Sequence, residues 1–354
     1  MVDNVIQARA GRFLVIHDFP PPDLEAAWRE FLTRVESPDQ YDAPDFFLEP
    51  YWKGQNPFAV LAFQGSRVIG CATGLHADGM VTCGLLSRPQ ICIAKDADAA
   101  LASDLLVDGL QMEGATAKLI TAYGWEWTPL PAFSNRGFSA RKLTGDVVLD
   151  LRQGADALYK QFHENRKRNI KTAVKNGITV SEAKTPEDLE AYLEVFSAWL
   201  GTERKEIQMN PDFPAIAKTH EMQENHRRFL ARHQGRVIAA TGVRFLRGGM
   251  IVYAGNCSYD QFINLRPNDL LIWKTIQWAC EQGFSKYSLG GAHPFLVKSG
   301  GTIVPICRYR LDRTFLRRHD LKEDLTDTAR TIVDKMPAPV QTAVRRVLHK
   351  PKRP

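Results

Sequence analysis

The chain repeats itself, and the repeat limits the fold before any single motif is read. Gln64-Gly65-Ser66-Arg67-Val68-Ile69-Gly70-Cys71-Ala72-Thr73-Gly74 returns roughly 169 residues later as Gln234-Gly235-Arg236-Val237-Ile238-Ala239-Ala240-Thr241-Gly242. Each copy runs on into a Gly-Met turn, Gly79-Met80 and Gly249-Met250, and Gly114 has its counterpart in Gly283. Several landmarks at one nearly constant spacing point to a duplicated domain. A chain of 354 residues has length for two domains, each with its own core.

Bulk properties narrow the class. With 44% hydrophobic and 24% charged residues the chain is globular, neither disordered nor fibrous. No stretch approaches the run of about 20 apolar residues that spans a bilayer, and Met1-Val2-Asp3-Asn4-Val5 lacks the basic start and apolar core of a secretory signal. The cysteines, at 71, 83, 92, 257, 280 and 307, form no C-x-x-C pair and do not cluster with histidine. They read as reduced, buried thiols of a cytoplasmic protein, with no metal site.

The net charge of +6 is unevenly spread. Residues 160–175 carry Lys160, Arg166, Lys167, Arg168, Lys171 and Lys175 against Glu164 alone, and the last ten residues carry five cations and no acid. Such clusters meet phosphates, RNA or an anionic membrane face; they also occur as solvated helix faces and tails.

Hydrophobic spacing predicts a helix over 23–35 after Pro20-Pro21-Pro22, then a loop rich in Pro, Asp and aromatics over 37–57. A hairpin over 58–75 turns at Gln64-Gly65, followed by a strand at 80–86, a helix at 97–112 and a strand at 145–151. The second copy opens with a helix over 155–176, ended by Asn176-Gly177, a strand at 178–183 and a helix capped at Thr185-Pro186-Glu187-Asp188. A hairpin (229–245), a strand (249–254), a helix (269–282) and a strand (285–289) then repeat the first copy. Asn268 and Asp269 read as caps of that helix. Two helices, at 321–335 and 340–349, follow. Each copy is therefore expected to be a mixed α/β sheet with helices packed on it.

Twice over, this order of elements resembles two tandem GNAT-like (acyl-CoA N-acyltransferase) domains. Three stretches extend the likeness to the Fem-type (FemABX) aminoacyltransferases. Arg166-Lys167-Arg168-Asn169-Ile170-Lys171-Thr172-Ala173-Val174-Lys175-Asn176-Gly177-Ile178 resembles that family's R-x-x-I-x-x-A-x-K-x-G-V helix. Leu265-Arg266-Pro267-Asn268-Asp269-Leu270-Leu271-Ile272-Trp273 resembles its second-domain helix. Tyr287-Ser288-Leu289-Gly290-Gly291 with Phe295-Leu296-Val297-Lys298-Ser299-Gly300-Gly301 resembles its closing Y-D-L-G-G … F-K-x-x-F-G-G stretch. The likeness covers most of residues 60–315 and is strongest in the second copy. It departs where the family's acid is Ser288, and where the residue before the last two glycines is Ser299. The helical arm that some members insert in the second domain has no room here.

The resemblance implies a division into a first domain (1–150), a second domain with the active site (151–315), and C-terminal helices with a basic tail (316–354) packing back on the first. It implies that Lys298 lies in the active cleft, that Thr202 and Arg204 hold substrate phosphates, and that Tyr253 lines the same cleft. Read alone, Lys298 is a loop lysine and Arg204 a surface arginine. Chemically, an ammonium beside Gly290, Gly291, Gly300 and Gly301 suits an oxyanion or phosphate, because glycines let substrate approach closely. No carboxylate pair or Ser–His–Asp arrangement supplies a general base; His293, before Pro294, is the titratable candidate, or else a structural loop histidine. Arg67-Val68-Ile69-Gly70-Cys71-Ala72 matches the acetyl-CoA string R/Q-x-x-G-x-G/A but sits in a hairpin strand, and the loop Asn264-Leu265-Arg266-Pro267-Asn268 has no glycine.

The reading that follows is a Fem-like N-acyltransferase with no bound cofactor. It takes an aminoacyl group from aminoacyl-tRNA, and attaches it to an amine of a cell-envelope (peptidoglycan) precursor. Arg166, Lys167, Arg168 and Lys171 would meet RNA or the inner face of the membrane; DNA is not an expected partner. An acyl-CoA-dependent N-acyltransferase of a polysaccharide amine or small metabolite is the first alternative. A catalytically silent GNAT-like binding protein is the second.

Overall fold

A computed structural model describes residues 6–8, 11–49, 55–84, 88–200 and 224–334. The first copy comprises β1 (Ile6–Ala8), β2 (Gly11–Ile16), α1 (Pro22–Leu32), β3 (Asn56–Gln64), β4 (Arg67–Ala77), β5 (Met80–Cys83), β6 (Ile91–Ile93), α2 (Ala99–Glu113), β7 (Leu119–Trp125), α3 (Pro131–Asn135) and β8 (Ser139–Asp150). The second comprises α4 (Ala155–Gln161), α5 (Glu164–Lys175), β9 (Thr179–Glu182), α6 (Pro186–Leu200), β10 (His226–His233), β11 (Arg236–Phe245), β12 (Met250–Ser258), α7 (Pro267–Glu281), β13 (Lys286–Gly291), α8 (Pro294–Val297) and β14 (Thr302–Asp312). A last helix, α9 (Arg318–Asp334), follows.

The hairpins fall where the repeat put them, turning at Gly65 and Gly235, whose φ values of 60° and 80° are the left-handed values such turns need. The helix expected over 155–176 is broken in two. Phe162 leaves the helix, and His163 caps α5 by accepting from the Asn165 N–H through Nδ1 at 3.1 Å.

All these strands join one sheet, in the order β1-β2-β3-β4-β5-β7-β14-β8-β13-β12-β11-β10-β9 with β6 on β4. Its centre is an exchange. β8, the last strand of the first copy, pairs with β13 of the second, while β14, the last strand of the second, pairs with β7 of the first. β8 and β14 pair antiparallel with each other from Ser139↔Arg310 to Val148↔Thr302.

On one side of the sheet, α2 and α3 cover Phe13, Val60 and Tyr309, and α4, α5 and α7 cover Ile251, Tyr287 and Leu289. On the other, α1 buries Trp28 and Phe31 against Leu14 and Leu61, and α6 covers Leu230 and Ala240. Each fully buried aromatic or leucine of these layers contributes about 1.5–3 kcal/mol. Trp28 also fixes the loop after α1, donating its indole N–H to the Asp42 carbonyl at 2.8 Å. That loop bridges the copies: Arg244 of β11 meets Glu49 at 2.6 Å with both side chains buried, and Met250 N–H reaches the Pro38 carbonyl at 2.8 Å. Among the described residues no helix is long and apolar enough to cross a membrane.

Candidate active site

The two copies differ where their parallel strands part. β12 and β13 are paired only from Met250↔Lys286 to Val252↔Ser288. Beyond that point Tyr253–Ser258 and Leu289–Gly291 are separate, and a Cβ placed on Gly255, Gly290 or Gly291 would meet no heavy atom within 4 Å. In the first copy, β5 and β7 part after Cys83↔Ala122, but the space is stitched shut. Gln90 donates its N–H to the Tyr123 carbonyl at 3.2 Å and accepts from Thr73 N–H at 3.1 Å, and its side-chain oxygen accepts from Gly84 N–H at 2.9 Å. The opening exists in the second copy alone among the described residues.

Beside the opening stands the N-terminus of α7. Its N-cap is Arg266, held at φ 64° with no side-chain cap, and Pro267 takes the first helical position. The expected capping by Asn268 and Asp269 does not occur. Asn268 donates to the Ser258 hydroxyl at 3.2 Å, and Asp269 turns inward, accepting from the Asn169 amide at 3.0 Å. A cavity of about 230 Å³ is lined by Asn169, Arg266, Asn268, Asp269, Phe295 and Lys298.

Beneath this cavity lies Arg166, with no exposed side-chain surface. Its guanidinium stacks on the Phe295 ring at 4.4 Å, donates from Nη2 to the Phe295 carbonyl and stands 3.6 Å from Asp269. Its Nε and Nη1 have no hydrogen-bond partner among the described residues. Burial lowers the Arg166 pKa, opposed by Asp269 and Tyr253; burial also raises the Asp269 carboxyl, opposed by Arg166. The expectation that Arg166 meets nucleic acid or membrane is therefore corrected: a guanidinium sealed under Phe295 cannot touch an external polyanion.

The other expected residues fall into distinct settings. Lys298 is half-buried on the cavity wall, and its carbonyl accepts from His163 N–H at 3.0 Å, which ties the lysine's loop to α5. Tyr253 lies on β12 at the opening, its hydroxyl pushed up by burial. His293 is exposed and caps α8, its Nδ1 accepting from Phe295 N–H at 3.2 Å. Gly290 and Gly291 face open space, whereas Gly300 and Gly301 are packed on protein. A Cβ would come within 3.0 Å of Gln161 at the former and 2.7 Å of the Val148 carbonyl at the latter. These two glycines thus seat the Lys298 loop on α4 and β8.

Lys167 is occupied by Glu164 and the Lys160 carbonyl, each at 2.9 Å, while Arg168 and Lys171 are exposed. Thr202 and Arg204 lie outside the described residues. Arg67–Ala72 forms part of β4, whose Gly70 packs toward Leu106, so the acetyl-CoA-like string builds no phosphate loop.

Three site groups were not anticipated as such: Asn169, Phe295 and Asp146. Asp146, on the exchanged strand β8, accepts from the Ser288 hydroxyl at 2.8 Å, and burial pushes its carboxyl up to about 6. Ser288 is the position where the Fem-type pattern carries an acid, so the carboxylate stands one strand over. The serine was the signal in the sequence; its partner, 142 positions away, was not.

Comparisons agree with this fold. Residues 160–295 match the family model described as "Acetyltransferase (GNAT) domain". A structure of FemX superposes with a TM-score of 0.63 at 12% identity, covering 81% of this chain and 95% of that one. The C-terminal domain of a putative lysylphosphatidylglycerol synthetase from Agrobacterium fabrum gives 0.58 at 13% identity, covering 86% and 96%. A tandem GNAT protein from the clavulanic acid biosynthesis pathway gives 0.56 at 13%, covering 86% and 99%. No curated protein matches the sequence. The chain is a tandem GNAT-fold protein built on one mixed α/β sheet. Its second copy carries the match to the acetyltransferase family.

Proposed function

We propose that this protein is an N-acyltransferase whose second copy holds the reacting groups. The reading rests on one observation above all: the opening between β12 and β13 is free, while its counterpart is stitched shut by Gln90. A strand gap of this kind admits an extended acyl donor with its carbonyl at the level of Gly290 and Gly291. The donor's phosphate would lie at the α7 N-terminus, where the helix dipole, Arg266 and Lys298 favour negative charge.

The reaction is attack of a neutral amine on the donor carbonyl. A C–N bond forms, the bond to the leaving oxygen or sulfur breaks, and the amine proton passes to the leaving group or to solvent. The Lys298 ammonium stabilises the negative charge that develops on the donor. Arg166 positions the Phe295–Lys298 segment through its bond to the Phe295 carbonyl.

Aminoacyl-tRNA is the donor we favour. The α7 entry has no glycine, and Pro267 removes one of the amides with which a helix start grips a diphosphate, so recognition falls to side chains. The match to the acetyltransferase family over 160–295 favours acyl-CoA as the second reading. An amine of an anionic envelope precursor is the proposed acceptor, bound with help from the first copy.

The test is donor discharge by purified protein, with charged tRNA and with acyl-CoAs, in the presence of envelope-precursor extract. Lys298→Ala is expected to slow discharge about 10²–10³-fold, as loss of one charge-stabilising group does, without loss of folding. Discharge of neither donor by the parent protein, across extracts, would leave a binding protein in place of an enzyme.

A further inference from the structure

α9 is built inside out. Its acids face the protein: Glu323 meets Arg308 at 2.6 Å, Arg310 at 2.8 Å and Arg141 at 3.0 Å, Asp320 meets Arg310 at 3.4 Å, and Asp327 pairs with Arg141. Its apolar residues face outward. Leu321, Leu325 and Ile332 are 47%, 62% and 53% exposed, and their spacing sets them in one stripe. Just before the helix, Phe315 and Leu316 are 86% and 71% exposed.

Local backbone strain holds this display. Leu316 and Arg317 both take left-handed φ values, 54° and 48°, which non-glycine residues avoid. Asp312 fixes the bend, its side chain accepting from the N–H groups of Thr314, His319 and Asp320. Two bulky side chains are thus presented to solvent by a conformation that is itself unfavourable, at the end of a helix whose outward side is already apolar.

Charge identifies the partner. Arg317 (paired with Asp320), Arg318 and Lys322 are exposed beside the apolar stripe, and Asp324 is the one exposed acid of α9 among the described residues. The twenty residues beyond Asp334 continue the sign, with Arg345, Arg346, Lys350, Lys352 and Arg353. An apolar stripe with a cationic rim on a helix about 25 Å long matches the acyl–headgroup boundary of an anionic bilayer. We infer that α9, with Phe315 and Leu316, docks this protein flat on an anionic lipid surface. The inference does not depend on which donor the cleft takes. α9 packs on the side of β14 that bears Arg308; Ile306, two residues earlier on that side, packs with Val252 of the second copy. The docked face is therefore the one on which the 37–49 loop joins the copies.

The full chain should co-sediment with vesicles of phosphatidylglycerol and phosphatidylcholine but not with phosphatidylcholine alone, with binding that weakens as salt rises. A Leu321→Glu/Leu325→Glu double variant, altered only at exposed sites, should bind the anionic vesicles at least about tenfold more weakly while keeping its circular dichroism and melting temperature. Unchanged binding by that variant, or no binding by the parent, overturns the inference. So does a parent that is dimeric by light scattering and a variant that is monomeric, since the stripe would then join two copies of this chain.

Discussion

Glycines at the site divide into two kinds, and substitution should tell them apart. Gly291 has free space where a Cβ would go, so Gly291→Val should fold like the parent, by melting temperature, yet impede donor use by narrowing the strand gap. Gly301, at φ 84° and against the Val148 carbonyl, should not tolerate Ala without a loss of about 1–3 kcal/mol in urea unfolding. If both variants fold normally and act normally, the gap is not the donor channel. Arg166 makes a different case. Removing it strands Asp269 in a buried setting, so Arg166→Met should cost about 3 kcal/mol, and much of that should return in the Arg166→Met/Asp269→Leu double variant. Asp146 carries a pH signature. Below about pH 3 its carboxyl is protonated in folded and unfolded chains alike; as pH rises the unfolded chain loses the proton near 3.8, while the folded chain keeps it to about 6. Stability contributed by this group therefore falls across that window. Asp146→Asn should be more stable than the parent at pH 7 by on the order of 2 kcal/mol and no different below about pH 3; the reverse order in urea titrations would discard the burial argument. The basic string 166–168 hid the burial of Arg166, although Arg166, Ile170 and Ala173 stand at helical spacing on one stripe of α5.

Elements were more legible than sites. Hairpins announced themselves through Gln-Gly turns and alternating apolar residues, and α6 through its Thr-Pro-Glu-Asp start, because those signals are local. The break between α4 and α5 was not legible. It depends on Phe162 turning to the core and on His163 reaching both the Asn165 and Lys298 backbones. Nor could spacing reveal that β8 begins at Ser139, since its first half is ordered by β14, more than 150 positions downstream. The closed first copy follows the same rule in part: Gln90 seals the β5–β7 gap through one bond to nearby Gly84 and two backbone bonds, to Thr73 and Tyr123 on other strands. Gln90→Ala removes only the side-chain bond to Gly84. It should lower stability by about 1 kcal/mol while leaving donor use in the second copy unchanged. Lost donor use in a folded Gln90→Ala protein would mean that the first gap takes part in the reaction.

The whole molecule has one sheet, and the two copies share its central strands, the Arg244–Glu49 pair and the Met250–Pro38 bond. Urea unfolding should accordingly give one transition by tryptophan fluorescence and by circular dichroism, with coincident midpoints. Two separated transitions would show that the halves stand alone. The exchange of β8 and β14 also sets a timetable for synthesis. When a ribosome has released Asp150, β8 has neither neighbour, since Lys286–Gly291 and Thr302–Asp312 are not yet made. Both of its edges wait, with unpaired amides and carbonyls, until almost the entire described chain has emerged. A nascent protein of this kind cannot finish its first half first. Its last strand closes both halves at once, and until then a neighbouring chain on the same message offers β8 an identical, premature partner.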